Sequence, residues 1–137
     1  MIKIFSKSEP TILIATYISN EKISDYREDL SPDSEYMQVS ARNLRLDVKI
    51  KPHKHNFQNR TTDLTQEAWI IFSGKLKAVL YDLDDSFLEE VILEPGDCIV
   101  LFRGGHSLEV LEDNTKFYEF KNGPYYGIET DKQPINN

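Results

Sequence analysis

From Glu67 to Lys121 the chain runs through short apolar segments, EAWIIF, KLKAVLYD, FLEEVIL, CIVLF, HSLEVL and KFYEFK. Compact breakers separate them: SG, DLDDS, EPGD, RGG and EDNT. Segments this short are strands rather than helices, and the tight turns between them join antiparallel neighbours. The ladder predicts an all-β sandwich or barrel. Upstream, TILIATYI, YMQVS and NLRLDVKI also read as strands. NEKISDYREDLSPDSE reads as a long polar loop with at most one helical turn, and Ser31, Pro32 and Asp33 mark a turn within it. The tail DKQPINN reads as a loose polar end.

At 137 residues the chain is expected to be one domain, 1–137, with no internal repeat. Its motif-bearing barrel is placed at about residues 36–121, with an N-terminal strand and loop (1–35) and a C-terminal loop and tail (122–137). The net charge of −7 argues against a nonspecific nucleic-acid binder, which needs a basic surface. MIKIFSKSEP lacks the apolar core of a signal peptide, and no segment approaches the roughly 20 apolar residues of a membrane span. The expected location is cytoplasmic, with no membrane partner. A single cysteine, Cys98, lies inside an apolar run and reads as a small buried residue rather than a nucleophile. Both parities of EAWIIF are apolar, so that strand needs cover on two faces. The second cover comes either from the N-terminal segment or from another subunit, and a homodimer is the expected assembly.

Two of the three histidines, His53 and His55, stand one residue apart in KPHKH. On a strand they project from one face, as two nitrogen ligands of one ion would. The competing reading is an edge strand with two solvated histidines. Glu67 opens a very apolar strand, where an unpaired carboxylate is costly. His106 follows RGG and shares its parity with Leu108 and Val110, which places it at the mouth of the core. One difficulty is parity: Leu44, Leu46, Val48 and Ile50 alternate out of phase with His53 and His55. A phase shift at Pro52, which cannot donate a ladder hydrogen bond, resolves it.

These residues resemble the cupins, small double-stranded β-helix (jelly-roll) barrels. The first cupin motif carries His-x-His, then Glu, six residues and Gly; His53, His55, Glu67 and Gly74 match it, including the six-residue gap. Gly96 opens the second motif and His106 takes its histidine. The chain departs from the pattern in four places. The first motif's opening glycine is missing, and NFQNRTTDLTQ (56–66) separates His55 from Glu67. Phe102 replaces a proline, and Val110 replaces an asparagine after a histidine spacing one residue short. KPHKH, TQE, EPGD, GGH and EFKNGPYYG narrow the resemblance to small single-domain cupins of bacterial surface-polysaccharide and nucleotide-sugar gene clusters.

The resemblance implies that His53, His55, Glu67 and His106 hold one divalent transition metal per chain (Zn, Mn, Fe or Ni), with positions open for a small-molecule ligand. A sugar or nucleotide sugar and isomerase- or epimerase-like chemistry form the first expectation. An iron-dependent dioxygenase and a metal- or sugar-binding module without turnover are the alternatives. A metal-free barrel used for dimerisation survives if the histidines face outward. Proton transfer needs an acid or base beside the metal. Glu119 and Tyr118 are the catalytic candidates, with Tyr81 and Gln66 behind them. Arg42, Arg45 and Arg103 could meet an anionic ligand, against the reading of solvated surface charges. Tyr125 and Tyr126 either stack on a sugar or pin the C-terminal loop, and Trp69 is expected in the core or a dimer interface. The 56–66 insertion is either a specificity loop or a tolerated rim loop.

Overall fold

The computed structural model describes residues 1–135, so Asn136 and Asn137 of the expected loose tail lie outside the described residues. It is almost entirely β. A five-stranded sheet has the order β1 (Ile2–Phe5), β2 (Leu13–Ile18), β8 (Cys98–Leu101), β5 (Glu67–Ser73), β10 (Lys116–Lys121). A three-stranded sheet has the order β7 (Phe87–Leu93), β6 (Leu76–Tyr81), β9 (Gly105–Val110). Every pairing is antiparallel. No helix is long and apolar enough to cross a membrane.

The two sheets close on a shared core. Trp69 and Ile71 of β5, Ile99 and Leu101 of β8, and Leu76, Ala78 and Leu80 of β6 all belong to it. Full burial of such side chains contributes about 1.5–3 kcal/mol each. Alternation explains β6, whose Leu76, Ala78 and Leu80 point in while Lys77, Val79 and Tyr81 do not. Gly74 turns the chain from β5 into β6 at φ +75°, and a Cβ there would collide with Thr115.

β8 is buried on both faces, and β5 is so over Glu67–Trp69, while Phe72 near its end is exposed. Their second cover is the N-terminal segment. Leu30, Met37, Val39 and Ala41 pack over Ala68, Cys98, Val100 and Phe102. A short ribbon of β3 (Glu28–Asp29) and β4 (Ser40–Ala41) runs through this layer. Glu35 anchors it by accepting Arg103 Nη2 at 2.8 and 3.0 Å. A second subunit is therefore not needed to cover this part of β5. Burial raises the Cys98 thiol to about 11, with Asp97 adding to the shift, which fits a packed residue rather than a nucleophile.

Two expected strands are not formed. YMQVS contributes only Ser40 to β4, and NLRLDVKI has no strand pairing. The whole stretch 42–66 is without regular structure. The expected phase shift at Pro52 thus has no strand to act on. β1 was not anticipated: IKIF gains its strand character by pairing with β2. No closed barrel is found among the described residues, since β9 and β10 each end a sheet with one edge free.

Asp82 ties the β6–β7 turn to the chain after β1. Its buried carboxylate accepts the amides of Lys7 (2.7 Å), Ser8 (3.1 Å) and Leu83 (2.8 Å). Burial alone would lift this carboxyl, but the hydrogen bonds from Ser6, Leu83, Ser8 and Lys7 outweigh it and bring it down to about 2. A depressed carboxyl adds stability that is complete above its unfolded value near 3.8 and is lost as the pH falls toward 2. Between pH 4 and 2 Asp82 is expected to account for about 2 kcal/mol of acid destabilisation. Urea midpoints against pH check this: the Asp82→Asn profile should be flatter than wild type over that window, and parallel profiles would refute it.

Candidate functional site

The open side of the sandwich holds a cleft of about 920 Å³. Its walls include Glu67 and Trp69 of β5, His106 and Leu108 of β9, and Glu119 of β10, and residues 128–135 border one end. Register explains the gathering. Lys121 lies opposite Glu67, and Glu119 opposite Trp69, so both share the inward face of β5. His106 lies opposite the buried Leu80. The corner before β9 depends on Gly104, at φ +75°, where a Cβ would stand 2.5 Å from the Tyr81 carbonyl oxygen.

Glu67 is the hub. Its Oε2 lies 3.2 Å from His106 Nε2 and accepts Trp69 Nε1–H at 3.3 Å, while Oε1 meets Lys121 Nζ at 2.8 Å. Burial would raise the Glu67 carboxyl, but the hydrogen bonds from His106 and Lys121 reverse this and hold it at about 2. The bond to Glu67 pushes the Lys121 ammonium above its ordinary value. Lys121 also contacts Asp131 (3.3 Å) and Glu119 (3.8 Å). Asp131 lies in a single helical turn, Ile128–Asp131, and accepts Thr65 Oγ1 at 3.4 Å. The Trp69 and His106 rings meet edge to face at 5.4 Å.

Of the four expected ligands, Glu67 and His106 come together in the cleft. His53 and His55 come together with each other, their ring centroids 5.5 Å apart, on the exposed 42–66 stretch. Among the described residues no group of three or more His, Cys, Asp or Glu is gathered as metal ligands would be. The catalytic candidates part as well. Glu119 faces the cleft, whereas Tyr118 lies opposite Ile70 on the other face, against Phe72 at 4.5 Å. Tyr81 borders the cleft. Gln66 is buried and structural, accepting the Met37 amide and donating to Glu35. Arg103 is engaged by Glu35, while Arg42 and Arg45 stay on the 42–66 stretch. Tyr125 and Tyr126 are exposed, and Trp69 is core.

Lys121 and Asp131 escaped the sequence reading. Lys121 carried a usable signal, since it shares the parity of Phe117 and Glu119. Its partner Glu67 is 54 positions away, and only the register of β5 and β10 joins them. Asp131 sits in a polar tail with no pattern at all.

The Glu67–His106 contact is a hydrogen-bonded pair. No family model, no curated protein and no solved structure matches the chain.

Proposed function

We propose that this is a jelly-roll protein of the cupin type that binds one divalent transition metal and acts on a small polar metabolite, a sugar or nucleotide sugar, by isomerase- or epimerase-like chemistry. The observation that carries the reading is the spacing of Glu67 Oε2 and His106 Nε2 inside a cleft large enough for such a ligand. His53 and His55 are the remaining ligands. A bound metal would polarise a carbonyl or hydroxyl of the ligand. Glu119, on the cleft wall, is the group placed to carry a proton, and Lys121 keeps Glu67 ionised. The same open positions suit dioxygen chemistry if the metal is iron, or ligand binding without turnover. Homodimerisation belongs to this reading, supported by the exposed aromatic cluster of Phe72, Tyr118 and Phe120 on the outer face.

A second reading rests on Lys121. Its ammonium already neutralises Glu67 at 2.8 Å, so the hub is satisfied as a metal-free structural network. Elemental analysis and zinc titration of protein carrying no histidine tag separate the two. The metal reading expects about one equivalent per chain, cut at least roughly tenfold in affinity by His106→Ala. Uptake below about a tenth of an equivalent would leave the structural network.

A further inference from the structure

The chain after β10 does not trail away from the fold. Asn122 fixes its start: its side-chain oxygen accepts the Gln66 amide at 2.6 Å, and its side-chain nitrogen donates to the Leu64 carbonyl at 2.9 Å. The chain then returns to the open side of the sandwich and touches down twice. Asp131 accepts Lys121 Nζ at 3.3 Å on β10. Ile135 packs over Gly105 of β9, where its Cγ1 stands 3.5 Å from the place a Cβ would take. β10 ends the five-stranded sheet and β9 ends the three-stranded one. Residues 131–135 therefore bridge the two sheets, and 128–135 border the cleft that holds Glu67 and His106.

This bridge is lightly held. Among the described residues no backbone hydrogen bond joins 128–135 to either sheet. The helical turn Ile128–Asp131 has no buried residue, and so short a helix has no stability of its own. Thr65 Oγ1 adds one long contact to Asp131 at 3.4 Å. Tyr125, Tyr126 and Ile128 are exposed, so the connection is not packed down either. At its base Gly127 has φ +109°, and a Cβ there would meet nothing within 4 Å. Its glycine answers to the backbone and not to packing. A segment with two small anchors and a glycine at its base opens locally while the sheets stay folded.

We infer that residues 128–135 are a gate on the cleft, hinged at Gly127 and closed by Asp131 on Lys121 and Ile135 on Gly105, which opens to let a small polar ligand reach Glu67 and His106. The positions of the two catches favour a gate over a fixed wall. One sits on the ammonium that also pairs with Glu67 at 2.8 Å, and the other sits on the residue before His106. Closing therefore covers the hub from both sheets in one movement. Glu129, Lys132 and Gln133 line the cleft, so the closed gate also brings polar groups to the ligand. Admission of a ligand rests on the function proposed above; the opening of the gate does not.

Diethyl pyrocarbonate, which acylates neutral imidazole, reads the gate at His106. His53 and His55, exposed on the 42–66 stretch, serve as references within the same chain. The full chain is used, and each histidine is followed by mass spectrometry of proteolytic fragments. Gly105→Cys with Ile135→Cys sets two thiols where a disulfide locks the gate shut. Locking is expected to slow modification of His106 at least roughly fivefold against the reduced form of the same variant, with His53 and His55 unchanged. Ile135→Ser removes one catch without touching Glu67 or Lys121, and is expected to speed modification of His106 at least roughly threefold. Equal His106 rates in the locked and reduced forms would mean a fixed wall and overturn the gate. Equal rates in Ile135→Ser and wild type would overturn it as well, and this variant decides alone if the double cysteine variant does not fold. A folded double variant that forms no cross-link under mild oxidation would remove the contact on which the gate closes. Zinc uptake is measured separately: a moving gate in protein that takes up no zinc keeps the gate and removes the metal, and a fixed wall in protein that takes up zinc does the reverse.

Discussion

Glu67→Ala is expected to destabilise the protein by about 3 kcal/mol, the usual cost of breaking a buried ion pair from one side. The substitution leaves Lys121 with only Asp131 and Glu119, at 3.3 and 3.8 Å, and removes its 2.8 Å partner. It also orphans the indole N–H of Trp69, a buried donor whose partner is Glu67 Oε2, and takes the carboxylate from His106. For a domain of this size 3 kcal/mol corresponds to a fall in Tm of roughly 10 °C. Glu67→Gln keeps the volume and one acceptor oxygen, so it should cost less than the alanine, and on the proposed metal reading it should lower zinc affinity. Urea unfolding followed by fluorescence of Trp69, the single tryptophan, measures the first effect; zinc titration measures the second. A loss below about 1 kcal/mol for Glu67→Ala would mean that the hub is solvated and dispensable. Equal zinc affinity in wild type and Glu67→Gln would remove Glu67 from the ligand set.

The pairing of Glu67 with His106 shows what a sequence can and cannot disclose about such a site. Each residue marked itself locally, Glu67 as a carboxylate opening an apolar strand and His106 by its parity with Leu108. Those are statements about one strand, and alternation carries them. That β10 lies beside β5 and brings Lys121 onto Glu67 is a statement about two strands far apart in the chain. Register over such distances depends on the whole packed core, not on either segment.

The segment 43–50 shows the converse. Its alternation is as regular as that of β6, yet β6 is paired between β7 and β9 and 43–50 pairs with no strand. Periodicity says that a face can be buried; only a neighbouring edge makes it a strand. β1 reverses the case, since four residues with weak local signal become a strand because β2 offers a free edge. The N-terminal layer over β5 and β8 was legible as a need, from the two apolar parities of EAWIIF, but not as an answer. Leu30 fills it from the long polar loop, and Met37 and Val39 from YMQVS, which reads as a strand in its own right.

Trp69→Ala is expected to cost about 3–5 kcal/mol, the range for deleting a fully buried large aromatic side chain. Trp69 is 1% exposed and joins core to cleft. One edge packs with Phe117 at 6.0 Å and another with His106 at 5.4 Å, while its N–H reaches Glu67. The cavity would open between the two sheets, where neither can collapse without disturbing the β5–β10 register that sets Lys121 on Glu67. Trp69→Phe separates the two roles. It keeps most of the packing but removes the indole N–H, so its stability loss should be less than half that of the alanine, while His106 and Glu67 lose part of their support. Far-UV circular dichroism in urea is the suitable readout, because the substitution deletes the fluorophore. A loss below about 1 kcal/mol for Trp69→Ala would show that the sheets do not pack on this side chain. Equal losses for the alanine and the phenylalanine would transfer the contribution from packing to the hydrogen bond.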